Sequence, residues 1–189
     1  MLLAGCGSGT DKAQPDPPHS SPSAAPPSER LGLAELKAVM PSIGDLPPGW
    51  EKSSEPRVEG PDGTKLALVR QGFAAPDLEG IVGLGVYSFE TPAKAIKYYT
   101  DIKAKGAQVG VQPVELPDVD GAHATSHCIG DDYCSTSIQF RMGSVAARVT
   151  INTTTRHPID ARVLNSTARM FAQRIRQAQQ GQTPTAKAA

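Results

Sequence analysis

The chain has 189 residues with 19 basic and 19 acidic side chains, so its formal charge is zero. The electrostatic footprint of a nucleic-acid partner is absent, and so is a basic patch for anionic lipid. Hydrophobic residues make up 39% and aromatics 5%. Proline-rich polar ends lower both figures, and the middle has the composition of one ordinary globular domain.

Leu3, Ala4, Gly5 and Cys6 resemble a bacterial lipobox. That resemblance implies cleavage before Cys6 and a diacylglycerol on its thiol, hence a lipoprotein on the extracytoplasmic face of a cell membrane. Two acyl chains, at about 0.8 kcal/mol per buried methylene, anchor stably where one is marginal. Five residues precede Cys6, so the charged and apolar regions of a full signal peptide are expected upstream of Met1. Residues 1–6 are read as the remnant of that signal.

Residues 7–30 contain six prolines and almost no large apolar side chain. Such a segment cannot bury enough surface to offset the entropy of ordering, and it reads as a disordered tether. Its reach is about 75 Å when fully extended and about 27 Å as a coil. The globular domain is expected over 31–180, followed by a flexible tail over 181–189.

A short helix is predicted from Leu31 to Met40, with Leu33, Leu36 and Met40 on one face and Pro41 ending it. GDLPPGW, residues 44–50, must be a turn, since Pro47 and Pro48 forbid both helix and central strand. Trp50 is read as a cap on the core, with stacking on a ligand as the alternative role.

Strands follow at 65–74 and 81–90. In the second, Val82, Leu84 and Val86 alternate with Gly83, Gly85 and Tyr87. The two glycines share a face that admits either a closely packed helix, the favoured reading, or a ligand. GLGVYS lacks the third glycine and the following helix of a dinucleotide fingerprint. Thr91 and Pro92 open a second helix that carries Ala93, Ile96, Tyr99 or Lys103, and Ile102, and stops at Gly106.

A weak strand at 111–116 precedes strands at 122–128 and 134–142, which the loop IGDDY joins as a hairpin. Val145, Ala147, Val149 and Ile151 alternate with smaller or polar residues, the clearest strand in the chain. Pro158 opens a last helix whose Leu164, Ala168, Phe171, Ile175 and Ala178 form one apolar stripe. Arg162, Arg169, Arg174 and Arg176 are assigned to its solvated side. The order predicts an α+β fold: an antiparallel sheet of five to six strands, with helices mainly on one face and the stripe of the last helix set against Val145 to Ile151.

The DLPPGW turn, the strand-to-helix step at 89–95 and the terminal hairpin with its helix resemble small actinobacterial surface lipoproteins. They are more faintly similar to PsbP/Mog1-like domains and to the extracellular sensor domains of mycobacterial receptor kinases. That resemblance spans most of residues 31–180 and implies a role in the cell envelope.

Chemistry-bearing residues are few. Cys128 and Cys134 are expected to pair as a disulfide in an oxidising compartment, which leaves Cys6 for lipid. His123 and His127 would lie about 13 Å apart on an extended strand, too far to share a zinc ion. No GxSxG or HExxH motif is present. The expectation is therefore a non-catalytic module without metal or cofactor, binding a small ligand or an envelope protein, with Trp50, Gly83, Gly85 and Tyr87 as candidate contacts. The alternative is an extracytoplasmic hydrolase using His123, His127 or Asp131.

Overall fold

The computed structural model describes residues 30–62, 65–75, 79–107, 110–130, 132–154 and 160–188. Cys6, the tether and Asp131 lie outside the described residues, as does Pro158. The elements run α1 (Leu33–Val39), β1 (Glu51–Lys52), β2 (Arg57–Glu59), β3 (Ala67–Ala75), β4 (Gly80–Ser88), α2 (Pro92–Gly106), β5 (Val111–Pro113), β6 (Gly121–Ile129), β7 (Tyr133–Met142), β8 (Val145–Thr153) and α3 (Ala161–Gln179). A single 3-10 turn, Ile43–Asp45, follows α1.

The fold is α+β, but its antiparallel sheet has eight strands rather than five or six. The order is β1-β3-β4-β8-β7-β6-β5, with β2 also on β3. β1 and β2 occupy the same outer edge, pairing with opposite ends of β3. Between them Ser53 and Ser54 both donate their amides to the Gly72 carbonyl, at 3.0 and 3.3 Å, which interrupts the ladder. Pro56 sits on this edge, where a missing donor costs no ladder bond.

Alternation divides the sheet into two faces. Val82, Leu84 and Val86 of β4 and Val145, Ala147, Val149 and Ile151 of β8 enter the main core with Leu164, Ala168, Phe171 and Ile175 of α3. This is the predicted packing of α3 on β8. α1 joins the same side with Leu31, Leu36, Val39 and Met40, while Leu33 points outward at 41% exposed. Trp50, 4% exposed, is part of this core. It therefore lies across the sheet from Gly83, Gly85 and Tyr87.

α2 does not join the other two helices. The chain leaves β4 in the middle of the sheet and must reach β5 at the far edge, so α2 crosses over β8 and β7 on the opposite face. Thr91 Oγ1 caps it by accepting the Lys94 amide at 3.3 Å, and Pro92 occupies the first turn. Its inward stripe is Ala95, Tyr98, Tyr99 and Ile102, one step from the expected one, and Ala93 and Ile96 are exposed. Ala95 and Tyr98 cover Leu68, Tyr87, Phe89 and Ala146 in a second, smaller core.

The β6–β7 hairpin closes more tightly than IGDDY suggested. The strands extend to Ile129 and from Tyr133, and Gly130 follows the first at φ +60°. Cys128 and Cys134 face each other in register and form a disulfide with Cα atoms 4.1 Å apart.

α3 starts at Ala161, where the Asp160 carboxylate accepts the Arg162 amide at 2.8 Å. Arg162 and Arg169 are exposed and Arg176 pairs with Asp118. Arg174, however, is 4% exposed and buried between α1, α3 and the segment after α3. That segment, expected to be a flexible tail, has neither helix nor strand but is pinned to the domain. The Gln177 side chain accepts the amides of Thr185 and Ala186, at 2.9 and 3.3 Å, and the Ala188 amide donates to the Asp45 carbonyl at 2.8 Å.

Candidate functional site: a glycine-floored groove

α2 covers only one end of its face of the sheet. The rest is an open groove of about 800 Å³. Its floor follows from strand register. One row across β2, β3, β4, β8 and β7 reads Arg57, Arg70, Gly85, Arg148, Gln139. The next reads Gly72, Gly83, Thr150 and Ser137 across β3, β4, β8 and β7. A third, across β3, β4, β8, β7 and β6, reads Ala74, Ile81, Asn152, Ser135, His127.

Three glycines thus remove the side chains from the middle of the floor. Among the described residues a methyl group at Gly83 would meet nothing within 4 Å, and the nearest atoms to one at Gly85 would be the Tyr87 ring and hydroxyl at 3.6 Å and Arg70 Cγ at 3.8 Å. The helix expected over Gly83 and Gly85 is not there: α2 packs beyond them, on Tyr87. The surface the two glycines leave bare is open.

Positive charge lines one part of this floor. Arg70 makes no hydrogen bond or ion pair among the described residues. Arg148 donates only to the neutral Ser137 hydroxyl, at 3.2 Å from Nε and 3.0 Å from Nη2. Arg57 is 80% exposed and its nearest carboxylate, Glu59, stands 3.9 Å away. Glu55 on the rim is bound to Lys52 at 2.6 Å. The Tyr87 and Tyr98 rings, 5.0 Å apart, close the end next to α2. Burial raises the pKa of the Tyr98 hydroxyl, Tyr87 beside it raises it further, and the charges of Arg148 and Arg70 pull it back. Both guanidiniums therefore act on the same hydroxyl pair.

The groove's other end sets apolar side chains beside Asn152, Ser135 and His127. Ile129 and Tyr133, beside the disulfide, line it at 66% and 41% exposed. A contiguous shallow hollow of about 420 Å³ continues past Tyr133 over Ile81, which is 52% exposed.

The two histidines considered for hydrolysis are not brought together. His123 and His127 point to the same face of β6, but α2 lies over the first and the groove opens at the second. His123 is fully buried, with its ring edge-on to Tyr99 at 4.9 Å. Asp131 is outside the described residues. Among those residues, no group of three or more His, Cys, Asp and Glu side chains converges as metal ligands would. No helix among them is long and apolar enough to cross a membrane.

Burial, and then the Lys103 charge, hold the His123 imidazole below its ordinary pKa of 6.5. A group with a depressed folded-state pKa binds its proton more readily in the unfolded chain. Stability should therefore fall as pH drops below 6.5, the ordinary histidine value. Urea titrations across this range should show that slope, and His123→Phe should flatten it. An unchanged slope in the variant would assign it elsewhere.

No family model matches the sequence, and no curated protein matches it. Among solved structures, the chain is weakly similar to the extracellular domain of PknH from Mycobacterium tuberculosis. The identity is 14% and the TM-score 0.47, with 82% of this chain and 94% of that one covered.

Proposed function

We propose that this protein is a non-catalytic binding module of the cell envelope, held at the extracytoplasmic face of a membrane by a lipid on Cys6. Its ligand occupies the groove over Gly83 and Gly85. The observation that carries this reading is the bare floor: two of the four β4 residues on that face lack a side chain, at the cost of strand propensity, and among the described residues nothing approaches within 4 Å of a methyl group at Gly83. Tyr87 contributes a wall. LLAGC and the proline-rich spacer support the anchor. The Cys128–Cys134 bridge supports an oxidising compartment. A hydrolase built on His123 has no support from geometry, since that ring is under α2.

One experiment on exported protein tests both halves. Cys6→Ser should move the protein from the membrane fraction to the soluble fraction. Gly83→Trp should fold normally, because the site is open and aromatic residues favour strands, yet it should fill the groove. Small envelope molecules that co-purify with the wild type, identified by mass spectrometry, should be missing from Gly83→Trp. An identical complement in the two proteins would refute the groove, and unchanged fractionation of Cys6→Ser would refute the anchor.

A further inference from the structure

The chemistry lining the groove identifies the kind of ligand it fits, given the reading of that groove as a binding site. We infer that it binds a phosphate-headed amphiphile, with the phosphate between Arg70 and Arg148 above Gly85 and the apolar part running toward Ile81, Ile129 and Tyr133.

Strands lie about 4.8 Å apart, so Arg70 and Arg148, with only β4 between them, stand about 10 Å apart at the backbone. Two long side chains span that distance easily, and Gly85 between them obstructs neither. Among the described residues neither guanidinium has a carboxylate partner. The open fork of Arg70 and the Nη1 of Arg148, whose Nε and Nη2 stay on Ser137, give N–H donors to a phosphate, which accepts from both at once where a carboxylate has fewer oxygens to share. The Tyr87 hydroxyl, on the groove wall, stands beside them as a neutral polar group. Arg57 extends the positive field along the same row.

A free anion would need nothing more, but the groove continues. From the Arg70 row to the Ile81 row is four residues of β3, about 13 Å at strand rise, the length of a short acyl chain. The floor between is Gly72, Gly83, Thr150 and the buried Ser137, and beyond it Ile81, Tyr133 and Ile129 stand exposed beside the polar Asn152, Ser135 and His127. Positive charge at one end and apolar surface at the other match an amphiphile with its head at the arginines.

Calorimetric titration of the full chain with dihexanoyl phosphatidic acid, kept below its micelle concentration, is the test. Dihexanoyl glycerol and inorganic phosphate serve as the probes for tail and head alone. Binding of phosphatidic acid should exceed either. Arg70→Gln and Arg148→Gln should each weaken it by roughly tenfold or more, the worth of a charge-assisted hydrogen bond, and Ile81→Ser, on the same strand as Gly85, should weaken it without altering phosphate binding. Arg70 is exposed and unpaired among the described residues, so its variant remains folded even if the Arg148 variant is not. Equal binding of dihexanoyl glycerol that Gly83→Trp abolishes would overturn the phosphate head and leave the groove standing. Phosphate alone binding as well as phosphatidic acid would overturn the amphiphile. No binding of phosphatidic acid, or binding indifferent to Arg70→Gln, would overturn the inference outright.

Discussion

Arg174→Met should destabilise the domain by about 3 to 5 kcal/mol, the usual cost of removing one partner from a buried charged network. The guanidinium fills a junction of three chain segments that have little else in common. Its Nε donates to the Val39 carbonyl at 2.8 Å, and its Nη2 to those of Met40 and Ala38 at 3.2 and 3.3 Å. These are the last carbonyls of α1, which have no amide of their own helix to accept from and carry the negative end of its dipole. Nη1 donates to the Ala186 carbonyl at 3.1 Å and to Asp45 Oδ2 at 3.3 Å. Methionine fills similar volume but leaves those carbonyls without their donors and takes from the Asp45 carboxylate its buried cationic partner. Burial opposes ionisation of Asp45, yet the hydrogen bonds from the Ser42 hydroxyl and amide, then the Arg174 charge, hold its pKa below the ordinary 3.8. Its contribution is thus present above that value and disappears as pH falls through the lower folded-state value. Urea unfolding at neutral pH measures the loss. Arg174→Lys, which keeps the charge without the fork, should fall between, and a loss under about 1 kcal/mol would reduce the cluster to surface electrostatics.

That arginine also shows where reading the sequence stops. Position 174 lies three residues after Phe171 and four before Ala178, so helical spacing alone puts it on the buried side of α3. Residue chemistry argued the reverse, because an arginine belongs in water unless acceptors are waiting. Those acceptors come from residues 38–45 and 186, distant in sequence and positioned only by tertiary structure. β1 and β2 escaped for a related reason. Strands of two and three residues have no alternation to read, and they exist because β3 offers them an unpaired edge. The side chosen by α2 is equally non-local: it follows from β4 being central and β5 being at the far edge.

The site was legible to the extent that period two is legible. Gly83, Gly85 and Tyr87 fall on one face from β4 alone, and His123 and His127 on one face from β6 alone. Whether a helix covers them is set by the path of α2, which reaches Tyr87 and His123 but not Gly83 or His127. Arg70 and Arg148 gave no local signal, being single charges on the polar faces of two strands. They become a pair because β3 and β8 are both neighbours of β4, which puts each in register with Gly85.

Phe171→Ala should cost about 3 to 5 kcal/mol, as expected for a fully buried aromatic truncated in a core that cannot collapse around the gap. The side chain is set by both periodicities at once. It stands at the centre of the α3 stripe, and below it the inward residues of β7 and β8 present Phe140 beside its register partner Ala147. The small alanine makes room for two rings, which meet edge to face with centroids 6.3 Å apart and planes at 88°. Such a pair adds about 0.5 to 1.5 kcal/mol beyond the area it buries. Removing one ring leaves the other without its partner and opens a void against strands whose positions are fixed by hydrogen bonds on both sides, so relaxation is limited. Urea denaturation should show a lower midpoint with an unchanged slope, the mark of lost packing without a change in surface exposed. Phe171→Leu should recover part of the loss by refilling volume but not the ring contact. In the double variant with Phe140→Leu, the two losses should fall short of additivity, since the ring contact can be lost only once. Full additivity of the two substitutions, or a loss below about 1 kcal/mol for Phe171→Ala, would mean that α3 is held to the sheet by something other than this contact.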